Sequence, residues 1–112
     1  MVMEAPEKGD LVYLNFNPQS GHEQAGHRPA IILSPKSFNA VTHLAVVCPI
    51  TRQIKGYPFE VKLPKGLKVE GAILTDHIKS VDWKSRNMKV VGKAPPSIVE
   101  VCIKRIHTFI SY

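Results

Sequence analysis

The 112-residue sequence is poor in cysteine and has no long run of apolar residues. Its two cysteines, Cys48 and Cys102, do not form a CxxC pair, so neither a zinc knuckle nor a disulfide framework is expected. Both lie in apolar or helical patterns, which predicts buried free thiols. No stretch approaches the roughly 18 apolar residues of a membrane span, and the acidic residues 1–10 lack the apolar core of a signal peptide. These absences predict a cytoplasmic protein without membrane contact.

Acidic residues are the scarcer charged type, with nine Asp and Glu against fifteen Lys and Arg, a net charge of +6. The excess is concentrated in residues 52–93, which carry ten basic and four acidic residues. Residues 1–51 carry three basic and four acidic residues. A concentrated basic surface favours a polyanionic partner, either nucleic acid or an acidic protein segment. A solvated lysine-rich face that keeps a small protein soluble accounts for the charge equally well.

Proline and glycine, nine and seven residues respectively, are spread along the whole chain, which is typical of many short elements joined by turns. Short runs of aromatic and β-branched residues predict strands, and they lie at residues 11–16, 29–33, 44–48, 59–63, 72–75, 78–83 and 88–92. Residues 34–39 are expected to form one helical turn. The chain is thus predicted to be mainly β and to form a single domain over residues 1–112.

The clearest predicted helix follows Pro95 and Pro96, because proline is tolerated in a first turn. An apolar stripe at helical spacing then predicts the buried face, and it consists of Val99, Ile103, Ile106 and Ile110. The expected architecture is a compact β-barrel capped by one C-terminal helix.

Polar side chains gather in two stretches next to predicted strand ends, residues 21–29 and 51–59. Their side chains include a carboxylate, two imidazoles, the Arg28 guanidinium, the Thr51 hydroxyl and an ammonium group. Loops at strand ends of a rigid scaffold commonly carry function. Arg28 precedes a proline, which biases it to an extended conformation and holds its guanidinium at the start of a strand. These stretches are the candidate site.

These side chains suit RNA cleavage without a metal. A base takes the proton of a ribose 2′-hydroxyl, an acid protonates the departing 5′-oxygen, and a cation stabilises charge on the phosphoryl oxygens. Glu23 and His27 can fill the acid and base roles, Arg28 suits the phosphate, and Thr51 can add a hydroxyl donor. Each residue also has an ordinary interpretation. Glu23 can be a solvated loop carboxylate, and His27 can hydrogen-bond the loop backbone. Arg28 can form a surface ion pair with Glu23 or Asp10, and Thr51 can be a turn residue.

Aromatic residues near the basic stretch can stack on RNA bases. Tyr57, in a turn between glycine and proline, is the best candidate for exposure, whereas Phe16 and Phe59 also fit the core and Trp83 fits either place. His22 and His27 lie five residues apart with no thiolate partner, which is a weak zinc pattern. No metal or other cofactor is therefore expected.

These residues, taken in order along the chain, resemble the MazF/PemK family of toxin–antitoxin ribonucleases. The matching motifs are Asn39 and the segments at 9–12 (GDLV), 16–18 (FNP), 21–30 (GHEQAGHRPA), 33–35 (LSP), 49–51 (PIT), 55–61 (KGYPFEV) and 76–83 (DHIKSVDW). They cover essentially the whole chain, and an ordered set of this length is far more specific than any single motif.

The resemblance implies an SH3-like barrel of the CcdB/PemK type that forms a homodimer and cleaves single-stranded mRNA at a short sequence, leaving a 2′,3′-cyclic phosphate and a 5′-hydroxyl. It also implies an acidic, MazE-like antitoxin over the RNA-binding face, with DNA binding only as the toxin–antitoxin complex. The family's essential arginine, threonine and loop carboxylate fall on Arg28, Thr51 and Glu23, and His27 takes a variable histidine position. The residues expected to bind RNA are Phe16, Gln24, Lys55, Tyr57 and Lys79.

Two other functions remain open at this point. A toxin of the same fold can poison DNA gyrase through its C-terminal helix and cleave nothing, although such a protein needs no acid–base set. A non-catalytic RNA-binding module, such as an autoregulator of transcription, would bind RNA and leave it intact.

Overall fold

The computed structural model describes residues 4–16 and 26–110. These residues form an antiparallel sheet and two α-helices. The strands are β1 (Asp10–Asn15), β2 (His27–Ile32), β3 (Leu44–Thr51), β4 (Glu60–Lys62), β5 (Ala72–Leu74), β6 (Lys79–Asp82) and β7 (Lys89–Lys93). The helices are α1 (Lys36–Thr42) and α2 (Pro96–Ile110), and a short 3-10 turn spans Thr75–His77.

The longest strand, β3, organises the sheet. The strand order is β4-β5-β3-β2-β1-β7, and β6 pairs with β3 off this path. The first half of β3 pairs with β6, from Leu44 opposite Asp82, while its end pairs with β5, where Thr51 lies opposite Ala72. Within the described ranges no pairing joins β4 to β7, so the sheet is barrel-like rather than closed. The predicted mainly-β architecture with a C-terminal helix is confirmed.

Apolar side chains fill both faces of the sheet. Leu11 of β1 packs in one core cluster with residues of α2, and its neighbour Val12 packs in a second cluster on the other face. Strand side chains alternate between faces, so two buried faces require consecutive apolar residues. This requirement explains the largely apolar runs from which β1, β2, β3 and β5 were predicted.

The buried face of α2 differs from the predicted stripe. Val99, Cys102 and Ile106 are buried, whereas Ile103 and Ile110 are 39% and 63% exposed. Only a narrow arc of the helix rests on the sheet, and a spacing of three and four residues keeps Val99, Cys102 and Ile106 within that arc. One helical turn was expected over residues 34–39, whereas the helix α1 begins later and runs over Lys36–Thr42.

Asn39 of α1 is fully buried and joins four parts of the chain. Its Nδ2 donates to the carbonyl oxygens of Pro6 (2.9 Å) and Ser34 (3.0 Å), and its Oδ1 accepts from the Ser34 hydroxyl at 2.5 Å. Its own carbonyl oxygen accepts from Trp83 Nε1 at 2.9 Å. Trp83 is therefore a core residue with a satisfied indole N–H, rather than an exposed stacking surface.

Cys48 and Cys102 are free and buried, as predicted. Burial raises the pKa of both thiols, that of Cys102 to about 12. No helix in the described part of the chain is long and apolar enough to cross a membrane.

Candidate active site

The β1–β2 pairing places His27 and Arg28 at the start of β2. Asn15 lies opposite His27, and Leu14 lies opposite Arg28. The pairing ends where Phe16 N–H donates to the Gly26 carbonyl oxygen at 2.9 Å. The His27 ring stacks on Tyr13, with centroids 5.8 Å apart and planes 30° apart. Both His27 and Arg28 have exposed side chains at a fixed strand end.

Thr51 is the last residue of β3, and a close backbone contact determines its position. Gly71 precedes β5 with φ +126°, and a Cβ at this position would lie 2.2 Å from the Thr51 carbonyl oxygen. Only glycine allows the two chains to approach this closely. The Thr51 hydroxyl oxygen accepts from Gln53 N–H at 3.1 Å, which fixes the start of the segment that follows.

These two strand ends meet in one cleft of about 440 Å³. His27, Arg28 and Thr51 all line it, so three of the four predicted catalytic residues come together. The other lining residues are Tyr13, Pro29, Ile50, Arg52, Gln53, Val69 and Glu70. An imidazole, guanidinium groups and a hydroxyl around one cleft can bind a phosphodiester and move a proton. Glu23, the fourth predicted catalytic residue, lies outside the described residues.

Arg52 and Glu70 were missed by the sequence analysis. Arg52 directly follows Thr51 and adds a second guanidinium to the cleft, so its position beside a candidate residue was an available signal. Glu70 had no such signal, because it reaches the cleft only through the pairing of β3 with β5.

A second depression of about 300 Å³ adjoins the first and shares Thr51 and Gln53 with it. Lys55 and Tyr57, both predicted to bind RNA, line it together with Glu60, Leu74, Asp76 and His77. Tyr57 is 55% exposed, and the Lys55 ammonium lies 5.9 Å from the centre of its ring. Two of the predicted RNA-binding side chains thus lie beside the candidate catalytic cleft.

The other predicted RNA-binding residues are placed differently. Phe16 is fully buried and packs with Val12 and Leu14. Contrary to the prediction, its ring is therefore not exposed for stacking on RNA. An aromatic ring at the end of β1 gains more by joining that core face than by remaining in water. Lys79 on β6 lies with its ammonium 5.3 Å from the Phe16 ring centre and lines neither depression. Gln24 lies outside the described residues.

His22 and His27 form the weak metal-ligand pattern of this region. Across residues 4–16 and 26–110, no group of three His, Cys, Asp or Glu side chains is placed to hold a metal ion. His22 lies outside those ranges.

Comparisons with known proteins match nearly the whole chain. A family model described as PemK-like, MazF-like toxin of type II toxin–antitoxin system matches residues 7–110. The endoribonuclease toxin MazF of Escherichia coli (strain K12) is 41% identical over 105 residues, 94% of each chain. A crystal structure of MazF from Deinococcus radiodurans has a TM-score of 0.94 at 44% identity, covering 98% of this chain and 100% of that one. A MazE-MazF structure from the same organism has a TM-score of 0.86 at 40% identity, covering 96% and 97%.

Proposed function

This chain belongs to the family of PemK-like, MazF-like toxins of type II toxin–antitoxin systems, and we propose that it is an endoribonuclease that cleaves single-stranded mRNA at a short sequence. The observation that carries the proposal is the cleft where His27, Arg28 and Thr51 meet. Its imidazole, guanidinium and hydroxyl groups are those that transesterification at phosphorus uses. The gyrase-poisoning and non-catalytic alternatives need no such set.

The proposed reaction uses the RNA's own 2′-hydroxyl as the nucleophile. A base removes its proton, the oxygen attacks the neighbouring phosphorus, and the bond to the 5′-oxygen breaks as an acid protonates that oxygen. The products are a 2′,3′-cyclic phosphate and a 5′-hydroxyl. His27 and Glu23 share the acid and base roles, and preorganised donors from Arg28 and Thr51 stabilise the charge on the phosphoryl oxygens. No metal or cofactor takes part in these steps.

RNA recognition in this proposal extends from the catalytic cleft into the adjoining depression. Tyr57 offers an exposed ring on which a base can stack, and Lys55 supplies positive charge for the phosphates there. Lys79 lines neither depression and is assigned to RNA binding from its sequence motif. Gln24 is assigned to RNA binding from its sequence motif alone. A toxin that cuts mRNA acts in the cytoplasm.

The same family membership supports two protein partners. We expect a second copy of the chain, which forms a homodimer, and an acidic MazE-like antitoxin. The likeness to chains of MazE-MazF structures supports the latter. The basic residues of the 52–93 region suit an acidic antitoxin segment.

The test is incubation of the purified protein with a long RNA, followed by mapping of the new 5′ ends. We expect cuts within one short sequence, 5′-hydroxyl and cyclic phosphate ends, and unchanged activity in EDTA. An RNA with deoxyribose at the cleaved position should resist, because it lacks the nucleophile. Intact RNA that stays bound would favour the non-catalytic module, and gyrase-dependent DNA breaks without RNA cleavage would favour the gyrase poison. Cleavage lost on chelation and restored by a divalent ion would contradict the mechanism.

A further inference from the structure

The segment that joins β3 to β4, residues 52–59, is held in place by an acidic side chain at its end. Most of these residues are exposed and outside regular secondary structure. The Glu60 carboxylate accepts two backbone N–H groups of the segment, from Lys55 (3.1 Å to each oxygen) and from Gly56 (2.8 Å). Hydrogen bonds to a charged acceptor are stronger than neutral ones, so the carboxylate restrains the backbone of the segment at Lys55 and Gly56.

The end of the same segment is anchored independently. The Phe59 carbonyl oxygen accepts from Thr75 N–H (3.2 Å) and from the Thr75 hydroxyl (2.5 Å). The Phe59 ring packs edge-on against Phe109 of α2, with centroids 5.5 Å apart. Arg105 of α2 donates to the Pro58 carbonyl oxygen. These contacts fix residues 58 and 59, while Glu60 fixes residues 55 and 56.

Between these anchors lie the side chains that the proposed function assigns to RNA. Lys55 and Tyr57 project beside Thr51 in the second depression. We propose that Glu60 is a positioning residue for RNA binding: its carboxylate holds the backbone of Lys55 and Gly56 so that the ammonium and the ring meet the RNA in one arrangement. This inference rests on the proposed function, because it assigns a role within the same RNA-binding surface.

An acidic residue is unexpected beside a surface that binds RNA. The direction in which RNA affinity changes when Glu60 is neutralised therefore tests its role. Glu60 is one of four acidic residues in the basic region 52–93, and a carboxylate beside RNA repels phosphates. If Glu60 were only a solvated surface charge, its neutralisation would tighten RNA binding. If it positions the segment, neutralisation weakens binding, because a mobile segment must be ordered when RNA binds.

The experiment compares two variants of Glu60 with a matched control. The probe is a target RNA with deoxyribose at the cleaved position, so that binding is measured without cleavage. Glu60→Gln keeps the size and removes the charge, while Glu60→Asp keeps the charge and shortens the reach. Both should bind the probe about tenfold more weakly, a loss similar to that of one stacked base. Glu100→Gln on α2 removes the same charge outside the segment and should leave binding unchanged or slightly tighter.

Kinetics and a double-mutant cycle separate positioning from a general loss of structure. The Glu60 variants should raise KM with little change in kcat, as expected when ground-state and transition-state binding are lost equally. In a Lys55→Ala/Tyr57→Ala background, Glu60→Gln should add almost no further loss of affinity, because the groups it positions are absent. Thermal melting checks that each variant is folded. If Glu60→Gln does not fold, the RNA affinity of Glu60→Asp tests the positioning role.

The outcomes distinguish this inference from the proposed function. If the wild-type protein neither binds nor cuts RNA, both are overturned. If it binds and cuts, but the folded Glu60 variants bind as tightly as the wild type or more tightly, only the positioning role is overturned. The positioning role would also be overturned if Glu60→Gln lowered RNA affinity in the Lys55→Ala/Tyr57→Ala background as much as it does in the wild type.

Discussion

The backbone of Arg28 is paired with Leu14 in the sheet, and its exposed side chain lines the cleft. Replacement of Arg28 should therefore remove the guanidinium from the cleft without disturbing the core. Arg28→Ala should lower the single-turnover cleavage rate by about 10²–10³-fold or more, the effect of removing one preorganised donor. Arg28→Lys should also be badly impaired, because an ammonium cannot present paired donors to two phosphoryl oxygens.

The measurement for Arg28 is single-turnover cleavage beside RNA affinity, with circular dichroism to confirm folding. Affinity should fall much less than turnover, since a group that acts mainly in the transition state contributes little to ground-state binding. Lys36→Ala removes a positive charge on α1, outside the cleft residues, and should cut at the wild-type rate. A well-folded Arg28→Ala protein with near wild-type activity would show that the catalytic assignment is wrong.

Gly71 allows the close backbone approach that positions Thr51. In Gly71→Ala the new methyl group would overlap the Thr51 carbonyl oxygen, and φ +126° is itself strained for alanine. Gly66→Ala is the matched control, because Gly66 also has a positive φ (+92°) but has nothing within 4 Å of the place where its methyl group would lie. The control should lose about 1–2 kcal/mol from backbone conformation alone. Gly71→Ala should lose clearly more stability in urea unfolding and should also cut RNA more slowly, because Thr51 must move. Equal losses would mean that the close approach is unimportant.

Among the elements, α1 depends on one polar side chain more than on apolar packing. Asn39 is its one buried residue, and its amide joins the helix to Pro6 and Ser34. Asn39→Ala should lower the free energy of unfolding by about 2–4 kcal/mol, because buried polar partners are left unsatisfied. The Trp83 bond should survive, since it uses the backbone carbonyl oxygen of residue 39.

Urea unfolding of Asn39→Ala beside Ser37→Ala tests this role of α1. Ser37 is exposed on the same helix, so its replacement should change stability by less than about 0.5 kcal/mol. A loss for Asn39→Ala as small as that of the control would contradict a structural role for the buried amide.

The same elements show why some features were predictable from the sequence and others were not. The strands β1, β2, β3 and β5 were recognisable because both sheet faces are buried there and each run is largely apolar, whereas β4 was predicted from its alternation of apolar and polar residues. Helical spacing identified α2 but did not show how wide its buried arc is, so Ile103 and Ile110 were wrongly assigned to the core. Phe16 was predicted to bind RNA although it also fitted the core, because an aromatic residue at a strand end suits either environment, and its side chain is buried.

The candidate site was predictable where the chemistry lies within a continuous motif. Arg28 and Thr51 were identified in this way, and the structure brings them to one cleft. Glu70 and the close approach of Gly71 to Thr51 were not, because they arise from the pairing of β3 with β5 across a long sequence separation. The contacts of Glu60 depend on the path of residues 52–59, which no periodicity describes.

At the scale of the whole molecule, the charge is strongly uneven. Residues 52–93 carry ten basic and four acidic residues, and this region supplies most of the second depression as well as Arg52 of the cleft lined by His27, Arg28 and Thr51. An excess of positive charge of this size attracts extended polyanions regardless of their sequence. RNA and an acidic antitoxin segment share this property.

RNA and an acidic antitoxin peptide are predicted to compete for one basic face formed by residues of the 52–93 region. Affinity for the uncleavable RNA should fall steeply with salt, and neutralisation of about four phosphates would cost about 50-fold between roughly 50 and 200 mM salt. Raising the peptide concentration should weaken RNA binding without a limit, as expected for mutually exclusive ligands, and the peptide's own affinity should fall with salt as well. The measurement is fluorescence anisotropy of labelled RNA at several fixed peptide concentrations. A ternary complex, detected as RNA that stays bound at saturating peptide, would count against a shared site. The two ligands would then bind at different places on the protein.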